Sequence, residues 1–146
     1  MEATSLPPTT GLLAFFTHDH RECDALWAAV EGLDGRDLPA ARAALAQFDA
    51  AMRRHLAWEE DTLFPAFESA TGMRQGPTTV MRMEHAQVRG VLDHMARAGD
   101  WQEVLDHGDT LLMLIGQHNA KEEGMLYPMC QAHLAGQWGE LRAQLR

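Results

Sequence analysis

Two stretches of the chain carry the same phrase. HLAWEEDTLFPAF begins at His55 and HNAKEEGMLYPMC begins at His118, 63 residues later. Each reads His, three residues, Glu-Glu, two residues, Leu, an aromatic residue and Pro. Neutral imidazole and carboxylate together are the donor set of choice for a divalent transition metal such as iron. On an α-helix each residue turns ~100°, so positions i and i+4 lie ~40° apart. His55 and Glu59 therefore share a face, as do His118 and Glu122. Glu60 and Glu123, one residue further, sit ~140° from their histidines on an ideal helix and read as outer or solvated groups.

The repeat extends beyond this phrase. Asp19-His20 stands 35 residues before His55, and Glu84-His85 stands 33 residues before His118. The chain thus reads as two helix pairs, each with an acidic-His pair followed by HxxxEE. A pseudo-twofold between the pairs would bring His20, His55, His85 and His118 to one centre, with Glu59 and Glu122. A lone HxxxE is common as a surface pair on a helix. Two copies in register, each preceded by a matched histidine, point instead to a metal site. Six such groups in a core would be costly if unpaired, and divalent ions answer that cost. Two Fe(II) ions, two carboxylates and a bridging hydroxide leave a charge of about +1, tolerable in a core. If both carboxylates and one solvent oxygen bridge, each iron has five bonds and one open position for a small molecule.

The elements that must position these residues are helices. No sustained alternation of Val, Ile and Thr marks a strand, and Ala, Leu, Met, Arg, Glu and Gln dominate. The spacing predicts a first helix from about Thr10 to Val30, capped by Thr9 or Thr10 and ended by the Gly32–Gly35 turn. A second starts near Leu38-Pro39 and runs to about Ser69, with a kink at Pro65. A third runs from Pro77 to about Ala98. A fourth starts at Asp100, where Asp100-x-x-Glu103 reads as a capping box, and runs to about Leu134 with an interruption near Pro128. Residues 137–145 suit one short extra helix. The expectation is an all-α, antiparallel up-down four-helix bundle over about residues 10–134, in a single domain of 146 residues. Phe16, Met52, Met81 and Leu114 are expected in one layer beside the ligands, and Trp27, Thr62, Leu92 and Met125 in the layer on the other side.

With these residues in hand, the sequence resembles the hemerythrin-like, or HHE cation-binding, family. The resemblance rests on Asp19-His20, on His55-x-x-x-Glu59-Glu60 with Leu63-Phe64-Pro65, on Glu84-His85, and on His118-x-x-x-Glu122-Glu123 with Leu126-Tyr127-Pro128. It implies a non-haem di-iron centre in a four-helix bundle, oxo- or hydroxo-bridged, with Glu59 and Glu122 as bridging carboxylates. Oxygen-carrying hemerythrins place a second His four residues after the third-helix His, where this chain has Arg89, and an Asp where it has Glu122. That departure suits redox chemistry with O2, peroxide or nitric oxide better than reversible carriage. It also resembles the four-His branch linked to iron handling and nitrosative-stress repair. The functional expectation is a protein that binds or reduces such a small molecule at Fe2. The alternative is a non-catalytic O2 or redox sensor, or an iron storage or delivery protein.

The other chemistry-bearing residues are expected elsewhere. His18 lies ~160° from His20, His94 faces away from His85, and His107 lies three turns, ~16 Å, from His118. His133 belongs at a helix end. Tyr127, the one tyrosine, falls ~180° from His118 on an ideal helix and is expected away from the site. Arg89 is expected to reach outward to solvent, and Cys23 and Cys130 to be buried as small apolar residues. The formal charge of −9 and the lack of a basic patch exclude a nucleic-acid binder. No apolar run is long enough for a membrane span, and the first residues have no secretory signature, so the expected address is the cytoplasm. No nucleophile triad, phosphate loop or dinucleotide fingerprint is present.

Overall fold

The computed structural model describes residues 11–146. The expected caps of the first helix, Thr9 and Thr10, lie outside the described residues. Helix α1 spans Leu12–Glu31, with Gly11 at its N-cap. Gly11 has no side chain to cap with, and the Gln131 side chain instead accepts a hydrogen bond from the Leu13 N–H at 3.1 Å. Helix α2 spans Leu38–Trp58, with Pro39 in its first turn and the Asp37 carboxylate accepting from the Ala40 N–H. Helix α3 spans Phe64–Thr71 and ends at Gly72, whose φ of 75° requires a residue without a Cβ penalty. Helix α4 spans Pro77–Arg97 and α5 spans Trp101–Lys121. Asp100 caps α5 through the Glu103 N–H at 2.8 Å, while the Glu103 carboxylate reaches back to the Gly99 N–H rather than to Asp100. Helices α6, Tyr127–Leu134, and α7, Trp138–Gln144, complete the chain, so the short extra C-terminal helix is present. No strand occurs among the described residues, and none of their helices is long and apolar enough to cross a membrane.

The prolines do not break the long helices. Each is preceded by one wide π-helical turn, at Glu59–Leu63 and at Glu122–Leu126. The Phe64 N–H bonds to the Glu59 carbonyl and the Tyr127 N–H bonds to the Glu122 carbonyl, five residues back instead of four. The physical cause lies one residue on: Pro65 and Pro128 have no N–H to donate, and their rings would clash with the carbonyl four residues earlier. Widening the preceding turn relieves that clash without losing the helix, and π turns of this kind concentrate at functional sites. Each turn inserts one residue into the register, so everything after it is rotated by ~100° relative to an unbroken helix.

That rotation corrects the expected layering. Met125 is 47% exposed and Thr62 is half-buried, whereas Leu63, Phe64, Leu126 and Tyr127 are fully buried in their place. The core has two parts. One gathers Cys23, Trp27, Phe48, Met52, Val88, Leu92, Val104 and Ile115. The other gathers Leu12, Phe16, Leu63, Phe64, Met81, Leu126, Tyr127 and Cys130. Met52 and the partly buried Leu114 belong with Trp27 and Leu92, not with Phe16 and Met81. In the first part Gly108 is a requirement of packing: a Cβ there would stand 2.2 Å from the Trp27 ring. Between the two parts lies a buried polar layer of His20, His55, Glu59, His85, His118 and Glu122.

Candidate metal centre

Helix α1 supplies His20, α2 supplies His55, α4 supplies His85 and α5 supplies His118. Glu59 and Glu122 are the first residues of the two π turns. All six side chains are buried, and Glu59, His85 and Glu122 have no exposure at all. Their donor atoms form two tetrads that could hold a metal ion: His20, His55, Glu59 and Glu122 in one, and Glu59, His85, His118 and Glu122 in the other. Within each tetrad the donor atoms lie within 4.8 Å of one another. Donors held ~2.1 Å from one ion stand roughly 3 Å apart when adjacent and roughly 4.2 Å when opposite, so the spacing fits.

Each glutamate divides its two oxygens between the tetrads. Glu122 Oε1 is 3.0 Å from His20 Nε2, and Glu122 Oε2 is 3.0 Å from His118 Nε2. Glu59 Oε2 is 3.5 Å from His55 Nε2, and Glu59 Oε1 is 3.0 Å from His85 Nε2.

The same four imidazoles are each held from behind by a carboxylate. His55 Nδ1–H donates to Asp19 at 2.7 Å and His118 Nδ1–H donates to Glu84 at 2.8 Å. His85 Nδ1–H donates to Glu60 at 2.7 Å and His20 Nδ1–H donates to Glu123 at 2.6 Å. A carboxylate can only accept, so Nδ1 carries a proton, and Nε2 is the nitrogen turned inward, the one a metal would take in exchange for any proton it holds. The repeat now has a meaning at every acidic position. The acid before each His, Asp19 or Glu84, holds the second histidine of its own half. The second Glu of each pair, Glu60 or Glu123, holds the first histidine of the other half. The spacing predicts Glu60 and Glu123 as outer groups, and that is where they stand. The parts played by Asp19 and Glu84 were carried only by their matched position before His20 and His85.

Three of these outer carboxylates meet a cation. Arg21 forks onto Glu123 with both terminal nitrogens, at 3.1 and 2.9 Å. Arg89 Nη1 donates to Glu60 at 2.8 Å, and Lys121 donates to Glu84. Arg89 is thus neither a ligand nor a side chain simply extended into water. It clamps the carboxylate that orients His85, as Arg21 clamps the one that orients His20. Burial raises the carboxyl pKa of Glu60, Glu84 and Glu123, but the hydrogen bonds and charges of these partners outweigh it and hold all three low.

The inner groups are coupled more tightly. Burial disfavours protonated His55, yet the Glu59 charge and the Asp19 hydrogen bond push its pKa up to about 10. Burial likewise opposes protonation of His118, but Glu122 raises it to about 9. Burial works against ionised Glu59, and His55 and His85 hold it well below the usual carboxylate range all the same. Cationic charge is what this polar layer lacks.

Four donor atoms make the same point. Glu59 Oε1, His85 Nε2, His118 Nε2 and Glu122 Oε2 are buried without a hydrogen-bond partner. The nearest neighbours of these atoms are one another: Glu59 Oε1 stands 3.0 Å from His85 Nε2 and Glu122 Oε2 stands 3.0 Å from His118 Nε2. Buried polar atoms are almost always satisfied. Four orphans converging on one point fit a metal ion.

Tyr127 is the residue that sequence reasoning missed. Its hydroxyl is buried in the site, donating to Glu59 and lying 2.9 Å from Glu122 Oε1, 3.1 Å from His20 Nε2 and 3.3 Å from His55 Nε2. Burial and the two glutamate charges raise its pKa well above the ordinary phenol value. The ~180° separation from His118 fails because the π turn adds a residue: eight effective steps give ~80°, on the ligand side. The signal available was its alignment with Phe64 in the repeated phrase. Phe64 stacks on the His85 ring at 5.5 Å between centroids.

The remaining histidines stand apart. His18 is exposed beside Glu22, His94 stacks on His107 in the α4–α5 region far from the tetrads, and His133 meets the edge of Phe67. Cys23 and Cys130 are free and buried.

Residues 11–130 match the family model of the hemerythrin HHE cation-binding domain. No curated protein and no solved structure matches the chain. The matched span covers most of the chain and includes all six inner residues, and the chain belongs to the hemerythrin HHE cation-binding domain family.

Proposed function

We propose that this hemerythrin-like chain is a non-haem di-iron protein that binds or reduces a small molecule, O2, peroxide or nitric oxide, at a carboxylate-bridged pair of metal positions. In this reading His20 and His55 would hold one iron, His85 and His118 would hold the other, and Glu59 and Glu122 would serve both. The observation that carries it is the division of each glutamate's two oxygens between the tetrads. A single-metal site would have no use for that arrangement. Iron is favoured by the mix of imidazole and carboxylate donors.

Charge supports a pair of ions. Six carboxylates surround the centre, and Arg21, Arg89 and Lys121 leave three negative charges uncompensated. Two divalent cations with one bound anion would bring that total to zero. When bound, the iron pair would supply the redox and Lewis-acid chemistry toward the small molecule. The chain's own work is to turn four Nε2 lone pairs inward through Asp19, Glu60, Glu84 and Glu123. The apolar parts on either side, Phe16, Phe64 and Met81 on one and Met52, Val88 and Leu92 on the other, keep bulk water out.

The reading takes residues 10–134 as an up-down antiparallel bundle within one domain. Short connections between α1 and α2 and between α4 and α5 support it, as does the grouping of Met52 with Trp27 rather than with Phe16. Residues before His55 lie beside residues after His20 when neighbouring helices run in opposite directions.

The test is iron content and the visible spectrum of protein loaded with Fe(II) under argon, followed as air is admitted and then removed. Two irons per chain and an oxygen-dependent charge-transfer band are expected. A band that persists marks oxidation of the irons, and one that fades marks reversible binding. One iron per chain, or no spectral response to air, would refute the proposal.

A further inference from the structure

The two tetrads are not equivalent. All four unpartnered donor atoms, Glu59 Oε1, His85 Nε2, His118 Nε2 and Glu122 Oε2, belong to the tetrad of α4 and α5. In the other tetrad all four, His20 Nε2, His55 Nε2, Glu59 Oε2 and Glu122 Oε1, are hydrogen-bonding neighbours of one atom, the Tyr127 hydroxyl oxygen. The repeat puts Phe64 where Tyr127 has its counterpart, and a phenyl ring has no donor atom to offer. An otherwise symmetrical centre is broken by one oxygen.

From this asymmetry we infer that the Tyr127 oxygen is a fifth protein donor at the His20/His55 metal position, filling its open site and confining the small-molecule ligand to the His85/His118 position. The inference rests on the two-metal reading above and deepens it. Adjacent donors around one ion stand roughly 3 Å apart. Tyr127 lies 2.9 to 3.3 Å from three of the four donors and closer still to Glu59. That is the place of an atom capping the tetrad from one side. The phenol is also fixed there: its ring is fully buried, 5.4 Å from the Phe16 ring and 5.4 Å from the His20 ring. Two histidines, two bridging carboxylates, one bridging solvent oxygen and the tyrosine make six donors at this position. The same sum without a tyrosine leaves five at the other. The open side of the centre is therefore the one beneath Phe64.

The test compares wild type, Tyr127→Phe and Phe64→Tyr, each loaded with iron and oxidised in air, with azide as the probe anion. Tyr127→Phe keeps the ring and removes only the oxygen, so it retains the packing. Iron content is measured first, and fewer than two irons in the wild type would defeat the two-metal reading itself. With two irons present, the wild type should bind one azide per iron pair and show a phenolate-to-iron(III) absorption band. Tyr127→Phe should keep two irons, lose that band and bind a second azide. Phe64→Tyr should keep two irons and lose azide binding. Two azides on the wild type would overturn the inference, as would identical spectra and azide numbers in wild type and Tyr127→Phe. One azide on Phe64→Tyr, as on wild type, would overturn the choice of the His85/His118 position.

Discussion

Neighbouring glutamates in the repeated phrase should fail in different ways. Glu59 places one oxygen in each tetrad, so Glu59→Ala removes a donor from both of the proposed metal positions at once. Glu60 touches no donor atom on the inner side. It accepts from His85 Nδ1 at 2.7 Å and from Arg89 at 2.8 Å. Glu60→Ala leaves the imidazole in place but frees its ring orientation and weakens its basicity. Removing a carboxylate that supports a ligating histidine typically lowers metal affinity 10- to 100-fold, about 1.4–2.7 kcal/mol. Glu59→Ala should therefore lose half or more of the bound iron at saturating iron. Glu60→Ala should still fill both positions but need 10- to 100-fold more free iron to fill the His85/His118 one. The assay is an anaerobic Fe(II) titration against a competing chelator, read with iron content after desalting. Equal losses in the two variants would refute the division into donors and orienting groups. Full wild-type affinity in Glu60→Ala would refute the coupling through His85.

Other outcomes follow from the same geometry. His20→Ala should lose iron whereas His18→Ala should keep two irons per chain, since His18 is exposed beside Glu22, and iron content after loading decides it. In the metal-free protein, His55 and His118 have pKa values raised from the ordinary 6.5 to about 10 and about 9. Their contribution to stability is full below pH 6.5 and is lost as pH rises through 9 to 10, so thermal midpoints in chelator should fall across that window, and a flat profile would contradict the coupling. Burial pushes the Cys23 thiol up to about 12 and raises Cys130 as well, so Ellman's reagent at pH 8 should find no fast thiol in the native protein and two after denaturation. Gly108→Ala gains about 1 kcal/mol of helix propensity but drives a methyl into the Trp27 ring at a cost of about 1–3 kcal/mol. Chemical denaturation should show a net loss of up to about 2 kcal/mol, and a more stable variant would refute that contact.

Much of this protein is legible in its sequence because its signals are local and doubled. Helix starts at Leu38, Pro77 and Trp101 follow from Pro39, Pro77 and Asp100, whose effects depend on the next three or four residues. The gathering of His20, His55, Glu59, His85, His118 and Glu122 follows from two copies of one spacing, since i,i+4 geometry before the proline is undisturbed. What lies beyond the π turns was not legible, because an ideal 100° step carries no memory of a widened turn. Met125 thus turned out to the surface, and Tyr127 turned in to the donors. Nor could spacing along one helix say which carboxylate meets which histidine. Glu60 finds His85 and Glu123 finds His20 only because the two halves cross, and Arg89 finds Glu60 for the same reason. By itself the sequence determined which six residues gather as the candidate donor set, through residue types and short-range helical geometry. Tertiary packing alone decided how those residues are oriented, neutralised and made unequal, because each of those depends on side chains brought together from different helices.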